Sequence, residues 1–356
     1  MDPHDLVVVA GRRLPRVDEV LDGWFEVAAA RGARFGSRYV HLVENLRRNT
    51  AGGKRFRPRM VLAAYETLGG TDIEMASRVA AAFELLHTAL IVHDDVIDRD
   101  FVRRGRPNVS GSYRDRATTA GIPLPLAEHR GMSVGVIAGD LALAGAYRLV
   151  GDAGAEELTR GRLVELLDDA VSAAAAGEYT DVDFSLHVEM PTVDEVVEME
   201  RLKTAWYSFE APLQAGAVLA GASLPTVEAL GAFGRHIGIA YQIVDDVLGV
   251  FGEEAVTGKS ASGDLREGKR TVLIAHAATR PEWGAVRELF GDPDLDETGA
   301  VRLRRAITES GARTYAELLA GDHANRAWEA LAADSVPEAT REELAPVVRA
   351  VLERTR

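Results

Sequence analysis

Two aspartate-rich segments follow apolar stretches of this sequence. Residues 93–98 (HDDVID) place Asp94 and Asp98 four positions apart, on one face of a helix. Residues 245–249 (DDVLG) begin with Asp245 and Asp246. Like charges one turn apart repel each other, and carboxylates late in a helix oppose its dipole. A solvated acidic helix end explains one such segment. Two of them predict a site for Mg²⁺, which binds a few carboxylates together with waters and phosphate oxygens.

Basic residues lie beside both acidic segments in the sequence. Residues 52–58 (GGKRFRP) and 103–107 (RRGRP) flank the first segment, and residues 257–270 carry two further basic clusters after the second. Lys203 lies within an apolar helical stretch, where a lysine usually extends its ammonium to solvent. Each cluster alone fits a solvated loop. Beside two acidic segments, in a chain of net charge −14, they predict metal-assisted chemistry on a diphosphate.

The composition excludes several classes of protein. With 41 Lys and Arg against 55 Asp and Glu in 356 residues, the chain lacks the basic surface that nucleic-acid binding needs. It contains no cysteine, which excludes disulfides, a thiol nucleophile and cysteine-ligated metals. The apolar run over residues 6–10 is too short for a signal peptide, and no stretch has the roughly eighteen apolar residues of a membrane-spanning helix. We therefore expect a cytoplasmic protein with no transmembrane segment.

The elements that position these residues are predicted to be helices. Ala, Leu, Glu and Arg are abundant, and apolar residues recur at spacings of three and four. Residues 83–92 and 237–244 are apolar on nearly every side, which is typical of central helices in a large helical protein. We expect one all-α domain over residues 1–356, with a flexible N-terminus over residues 1–20. We also expect loops over residues 103–131 and 253–269, and a helix that starts at Pro191 and Thr192.

Seven motifs occur in a fixed order within residues 40–275. They are GGKRFRP (52–58), HDDVID (93–98), RRGRP (103–107), AGD (138–140), KTA (203–205), YQIVDD (241–246) and TGK with DLREGKRT (257–271). Each motif alone is weak, but together the chain resembles the trans-isoprenyl diphosphate synthases, the polyprenyl synthetase family. The resemblance implies an all-α, single-domain helical bundle around a central active-site cavity, usually a homodimer.

The resemblance also implies the reaction and its residues. Such prenyltransferases condense isopentenyl diphosphate head-to-tail with dimethylallyl, geranyl or farnesyl diphosphate, and they use three Mg²⁺ ions per active site. The metal-binding residues would be Asp94, Asp95, Asp98, Asp245 and Asp246. The allylic diphosphate would be held by Arg103, Lys203, Lys259 and Lys269. Isopentenyl diphosphate would be held by Lys54, Arg57, His87 and Arg104. The carbocation would be stabilised by Thr204, Gln242 and the carbonyl of Lys203.

The length of the product is expected to depend on Ala89, five positions before Asp94. A bulky residue there would stop growth of the chain early. The small residue therefore predicts geranylgeranyl diphosphate (C20), as in bacterial geranylgeranyl diphosphate synthases. Farnesyl diphosphate and products of C25 or longer are the alternatives. Close helix packing also explains a small residue at this position.

Two positions depart from the family pattern. Gly249 replaces the third aspartate of the second acidic motif, and Glu178 replaces a glutamine. With Gly249, residues 245–253 loosely fit the second metal motif of class I terpene cyclases, which are the alternative class of enzyme. A cyclase acts on one diphosphate and would not need Lys54, Arg57 and His87. A non-catalytic subunit of a heteromeric synthase is a third alternative, but such subunits tend to lose the acidic motifs.

Overall fold

The computed structural model describes residues 11–186, 189–252 and 262–353. These residues are helical almost throughout and include one two-stranded antiparallel hairpin, so the all-α prediction is confirmed. The chain divides into two compact units. The amino-terminal unit comprises the described residues up to 171 together with residues 212–223. The carboxy-terminal unit comprises the described residues of 172–211 and of 224–356. A single domain over the whole chain stays a prediction.

The elements of the amino-terminal unit surround a long apolar helix. They are α1 (Leu14–Gly32), a 3₁₀ turn (Ala33–Phe35), α2 (Ser37–Thr50), α3 (Phe56–Thr67), α4 (Ile73–Ile97), β1 (Val102–Arg103), β2 (Arg106–Pro107), α5 (Val109–Thr119) and α6 (Leu124–Gly151). Helix α7 (Glu157–Leu186) begins in this unit and ends in the other.

The carboxy-terminal unit continues the helical chain. It begins with α8 (Val193–Glu200) and a π-helical stretch (Arg201–Glu210). The next helix in the chain, α9 (Ala211–Leu219), belongs mostly to the amino-terminal unit. The others are α10 (Leu224–Phe251), α11 (Gly263–Glu267), α12 (Val272–Ala278), two 3₁₀ turns (Pro281–Ala285 and Arg287–Leu289), α13 (Glu297–Glu309), α14 (Ala312–Leu331) and α15 (Glu338–Glu353).

Helix α4 is the central element of the amino-terminal unit. Asp72 caps its start by accepting a hydrogen bond from the Met75 N–H at 3.0 Å. Phe83, Leu86 and Ala89 are almost completely buried, which confirms the predicted central helix over residues 83–92. The end of α4 that carries the first acidic segment is therefore attached to a rigid part of the core.

Glycines of α6 let that helix approach the end of α4 very closely. A methyl group at Gly139 would lie 2.2 Å from His93 Nε2, and one at Gly135 would lie 2.5 Å from Val96 Cγ2. Neither position has room for a side chain. The AGD motif, which includes Gly139, thus lies directly against the acidic segment.

The structure contradicts the predicted loop over residues 103–131. The hairpin is followed by Asn108, which caps α5 by accepting a hydrogen bond from the Gly111 N–H at 2.8 Å. Helix α6 then starts directly after Pro123. The prediction was wrong because α5 is polar and has no regular apolar spacing. It is held as a helix by packing along α6, where Gly131 contacts the Ser110 carbonyl.

In the carboxy-terminal unit, α10 packs against α14 and the π-helical stretch. The predicted helix start is confirmed, since Thr192 and Glu195 form a capping box and α8 begins at Val193. A methyl group at Gly238 of α10 would lie 2.6 Å from Ala205 Cβ. The π-helical stretch is therefore pressed against α10, which fixes the position of Lys203 and Thr204.

The structure shortens the predicted flexible N-terminus. Residues 14–20 lie in α1, where Val17 is fully buried, because Val17, Leu21 and Phe25 form one apolar face. The predicted flexible N-terminus therefore does not extend to these residues, and residues 1–10 lie outside the described ranges.

By length and composition, α4 and α6 could each cross a membrane. Most of α4 is buried inside the protein, as in the core helix of a soluble protein.

Candidate active site

The first acidic segment forms the C-terminal end of α4. Asp98 caps the helix, and its N–H donates to the Asp94 carbonyl at 2.8 Å. The Asp94 side chain is 27% exposed, whereas Asp95 is buried. The last turn of α4 contains no basic residue. Because the helix dipole is negative at this end, a compensating charge must come from another element.

The β-hairpin supplies that charge in the form of Arg103. Its turn residues Arg104 and Gly105 have φ of 53° and 70°, as tight two-residue hairpin turns commonly require. Arg103 donates to Asp95 Oδ1 at 2.6 and 2.8 Å and to Asp94 Oδ2 at 3.3 Å. Burial raises the pKa of Asp95 to about 6, against the lowering effect of Arg103. In this structure Asp95 therefore orients Arg103.

Three of the predicted basic residues lie around His87 on α4. Burial, followed by the charges of Arg57, Arg103 and Arg104, lowers the pKa of His87 well below its ordinary value. Gly53 has a φ of 83°, and a methyl group there would lie 3.2 Å from Arg104 Nη1. The glycine-led loop and the hairpin thus meet beside His87. Guanidinium groups around a neutral imidazole suit a phosphate-bearing anion.

Arg55, which was not among the predicted site residues, anchors the loop that carries Lys54. Arg55 is buried and donates to Glu84 Oε1 at 2.8 Å, to the Thr50 carbonyl at 2.9 Å and to Asp18 Oδ1 at 2.9 Å. Lys54 itself is exposed. The signal for this anchor was a single glutamate inside an apolar run, because a buried carboxylate needs a cation nearby.

Lys203 and Thr204 lie in the π-helical stretch, a rare conformation that is frequent at functional sites. Lys203 Nζ lies 2.6 Å from Asp181 Oδ2 and 2.9 Å from Glu178 Oε2, both on α7. A methyl group at Gly177 would lie 2.2 Å from the backbone nitrogen of Lys203. Helix α7 therefore contacts Lys203 at its backbone and at its ammonium.

The second acidic segment is part of α10. Gln242 Nε2 donates to Asp246 Oδ1 at 2.9 Å, beside Asp245. Burial raises the pKa of Asp246 to about 7, against the lowering effects of Glu200 and of the hydrogen bond from Gln242. Burial also raises the pKa of Glu200 well above its ordinary value. The charge of Asp246 adds to the effect of burial on Glu200. Sequence reasoning missed Glu200, because one acid in the acidic helix α8 gives no signal.

Asp264 occupies the space beside Gly249. A methyl group at Gly249 would lie 2.1 Å from Asp264 Oδ2, so the carboxylate stands where a third aspartate side chain of the segment would begin. This contact gives the departure at position 249 a physical reason. Lys269 Nζ lies 3.1 Å from Glu267 Oε2 and 3.7 Å from Asp264 Oδ1. Lys259 lies outside the described residues.

The chemistry of these carboxylates fits Mg²⁺. Within residues 11–186, 189–252 and 262–353, no group of three or more acidic or histidine side chains could hold a metal by itself. The acids occur as pairs of hard oxygen ligands instead, Asp94 with Asp98 and Asp245 with Asp246. Mg²⁺ is commonly bound by one or two carboxylates, with waters and substrate phosphates as its other ligands.

Comparison with known proteins agrees with this arrangement. The polyprenyl synthetase family model matches residues 40–303. The chain belongs to the polyprenyl synthetase family. This polyprenyl synthetase is 33% identical over 315 residues to the geranylfarnesyl diphosphate synthase of Aeropyrum pernix, covering 87% of this chain and 91% of that one. It is 32% identical over 310 residues to the geranylgeranyl diphosphate synthase of Methanosarcina mazei, covering 86% of each chain.

A solved structure shows the same fold. The geranylgeranyl pyrophosphate synthase of Corynebacterium glutamicum, complexed with isoprenyl diphosphate and magnesium, superposes with a TM-score of 0.87 at 28% identity. The match covers 100% of this chain and 99% of that one. The protein is therefore a prenyltransferase of isoprenoid biosynthesis with the isoprenoid synthase fold, as predicted. These relatives support that function over a terpene cyclase.

Proposed function

We propose that this polyprenyl synthetase is a Mg²⁺-dependent geranylgeranyl diphosphate synthase. It condenses isopentenyl diphosphate head-to-tail with dimethylallyl, geranyl and farnesyl diphosphate. The observation that carries the proposal is the cluster of Arg57, Arg103 and Arg104 around His87, in the same unit as Asp94. Cations that can hold a diphosphate thus accompany a carboxylate that can hold its metal.

The reaction needs charge stabilisation more than a protein base. In each condensation the C1–O bond of the allylic diphosphate breaks, and diphosphate leaves with the electron pair. C1 then bonds to C4 of isopentenyl diphosphate, whose C2 loses a proton that the departed diphosphate takes up. The protein therefore has to stabilise the leaving anion and keep water from the carbocation.

We assign the isopentenyl diphosphate to the cluster around His87. Its ligands are Lys54, Arg57, His87 and Arg104. The neutral imidazole can donate one hydrogen bond without adding charge, and the guanidinium groups can bind phosphate oxygens in pairs. Because Arg55 fixes the loop to α4, these groups are held in place before the substrate arrives.

We assign the allylic diphosphate to a second set of cations. Its ligands are Arg103, Lys203, Lys259 and Lys269. Thr204, Gln242 and the Lys203 carbonyl stabilise the carbocation. Because Gln242 Nε2 donates to Asp246, the oxygen of the same amide is the end that can face a cation.

Three Mg²⁺ ions complete the proposal. We assign them to Asp94, Asp98, Asp245 and Asp246, with Asp95 in support through its contact with Arg103. When bound, the ions neutralise charge on the leaving diphosphate.

The remaining assignments concern the chain itself, which we propose to be a cytoplasmic homodimer. The exposed apolar residues Val136 and Ile137 on α6 support a partner surface, and light scattering would test it.

The C20 product is proposed on the basis of Ala89. This residue is buried and shares a face of α4 with Leu85 and His93. We expect Ala89→Phe to shift the product toward C15 or C10 without abolishing the first condensation. Ala30→Phe, an exposed position on α1, controls for the added bulk. A folded, active Ala89→Phe enzyme with unchanged products would show that this position does not limit chain growth.

An assay of the purified protein tests the proposal as a whole. Isopentenyl diphosphate is supplied with each allylic starter, and the products are separated by chain length. We expect C20 to dominate, a chelator to abolish turnover and Mg²⁺ to restore it. A cyclic product formed from one allylic diphosphate, with isopentenyl diphosphate unused, would contradict the proposal.

A further inference from the structure

We propose that Glu178 sets the affinity of this enzyme for allylic diphosphates by competing with them for Lys203. The inference rests on the proposed function, because it takes Lys203 as a ligand of the allylic diphosphate. In the structure, the Lys203 ammonium is held by Glu178 at 2.9 Å and by Asp181 at 2.6 Å. The two carboxylates lie three positions apart on α7, so they face the ammonium from one side of that helix.

The backbone around this ion triad is fixed. Gly177, next to Glu178, lies in contact with the backbone of Lys203, where even a methyl group would clash. On the far side of the π-helical stretch, Gly238 of α10 packs equally closely against Ala205. The stretch is thus held between α7 and α10. Lys203 can release its carboxylates only by moving its side chain, not its backbone.

The charges of the triad oppose binding of an anion. One ammonium and two carboxylates give a net charge of −1, so a diphosphate meets a negative group where it needs a positive one. The side chains are only 20% exposed at Glu178 and 24% at Lys203, so solvent screens the interaction incompletely. An allylic diphosphate must therefore displace Glu178 to engage Lys203 fully.

The variant Glu178→Gln separates charge from shape. Glutamine keeps an oxygen that can accept a hydrogen bond from Lys203, but it carries no charge. We expect the dissociation constant of geranyl diphosphate, measured by calorimetry with MgCl₂ and without isopentenyl diphosphate, to fall about fivefold. The KM for the allylic substrate should fall with it, while the KM for isopentenyl diphosphate stays constant. Glu178→Asp, which keeps the charge, should stay close to the wild type.

Two further variants show whether the effect acts through Lys203. Glu198→Gln is the control: Glu198 lies on α8 and its Oε1 is 2.7 Å from Arg201 Nη2. This variant removes the same charge from an ion pair without Lys203 and should leave geranyl diphosphate binding unchanged. In a Lys203→Met background, adding Glu178→Gln should give no gain in affinity. Unchanged or weaker binding by Glu178→Gln, or an equal gain in the Lys203→Met background, would overturn the inference. If the wild type itself fails to bind geranyl diphosphate, the proposed function fails with it.

Discussion

The contact between Gly139 and His93 makes a sharp prediction for catalysis. An alanine at 139 would place its methyl group 2.2 Å from His93 Nε2 and 2.4 Å from His93 Cδ2, well inside van der Waals contact. The imidazole has to move, together with its contacts to the Val136 carbonyl at 3.3 Å and to Asp140 at 3.5 Å. His93 is followed directly by Asp94, so displacement of the ring also displaces the first acidic segment.

The expected magnitudes follow from this overlap. Overpacking a buried contact costs about 1–3 kcal/mol of unfolding free energy. Gly→Ala inside a helix with open space gains up to about 1 kcal/mol. Gly161→Ala on α7 is the matched control, because no atom lies within 4 Å of the added methyl group. Urea unfolding should therefore separate Gly139→Ala from the control by about 1–4 kcal/mol.

Turnover should fall more steeply than stability. Displacing a catalytic group by about 1 Å can lower kcat about 100-fold. We expect a loss of this size in Gly139→Ala under saturating substrates, with a higher Mg²⁺ concentration needed for half-maximal rate. Adding His93→Ala should restore most of the stability, because it removes the clash. If Gly139→Ala matches Gly161→Ala in both stability and kcat, the contact does not position the acidic segment.

Two further predictions concern buried charge. Glu84→Gln should lower the unfolding free energy by about 3 kcal/mol, because it leaves the buried Arg55 guanidinium without its buried partner. Glu74→Gln, at a side chain that is 40% exposed on the same helix, should cost less than about 1 kcal/mol in urea unfolding. Equal costs of the two variants would refute the argument. Burial, and then the charge of His236, lowers the pKa of His323 to about 4. The unfolded chain therefore binds the proton more tightly, and stability should fall by about 3 kcal/mol as the pH drops from about 6.5 to about 4. His323→Gln should remove this part of the slope, and an unchanged slope would contradict it.

Asp94 and Asp98 were predicted as metal ligands because an i, i+4 acidic pair after an apolar run is costly without a cation. Arg103 was singled out by its place after that pair. The sequence did not show that Arg103 would contact Asp95, since this depends on a hairpin turn with two positive φ angles. Local pattern identifies the groups, but tertiary packing decides which of them meet.

The missed residues share a physical reason. Arg55, Glu200 and Asp264 act through contacts with residues distant in the chain, and none stands out by spacing. Arg55 reaches Glu84 across 29 positions, for example. The helix α5 was missed for a related reason, because its stability comes from packing along α6 rather than from apolar periodicity. Spacing rules detect neighbours within one helix and cannot detect partners that are distant in the chain.

The discontinuity of the amino-terminal unit affects how the chain is made. Residues 212–223 complete this unit but leave the ribosome after residues 172–211, which belong to the other unit. Gly216 lies so close to α3 that a methyl group there would be 2.3 Å from the Val61 carbonyl oxygen. A nascent chain that ends before residue 216 leaves that side of α3 uncovered. Contacts between segments so far apart in the chain form slowly, and apolar surface stays exposed until they have formed. Neither unit can therefore be obtained complete from one contiguous fragment of the gene.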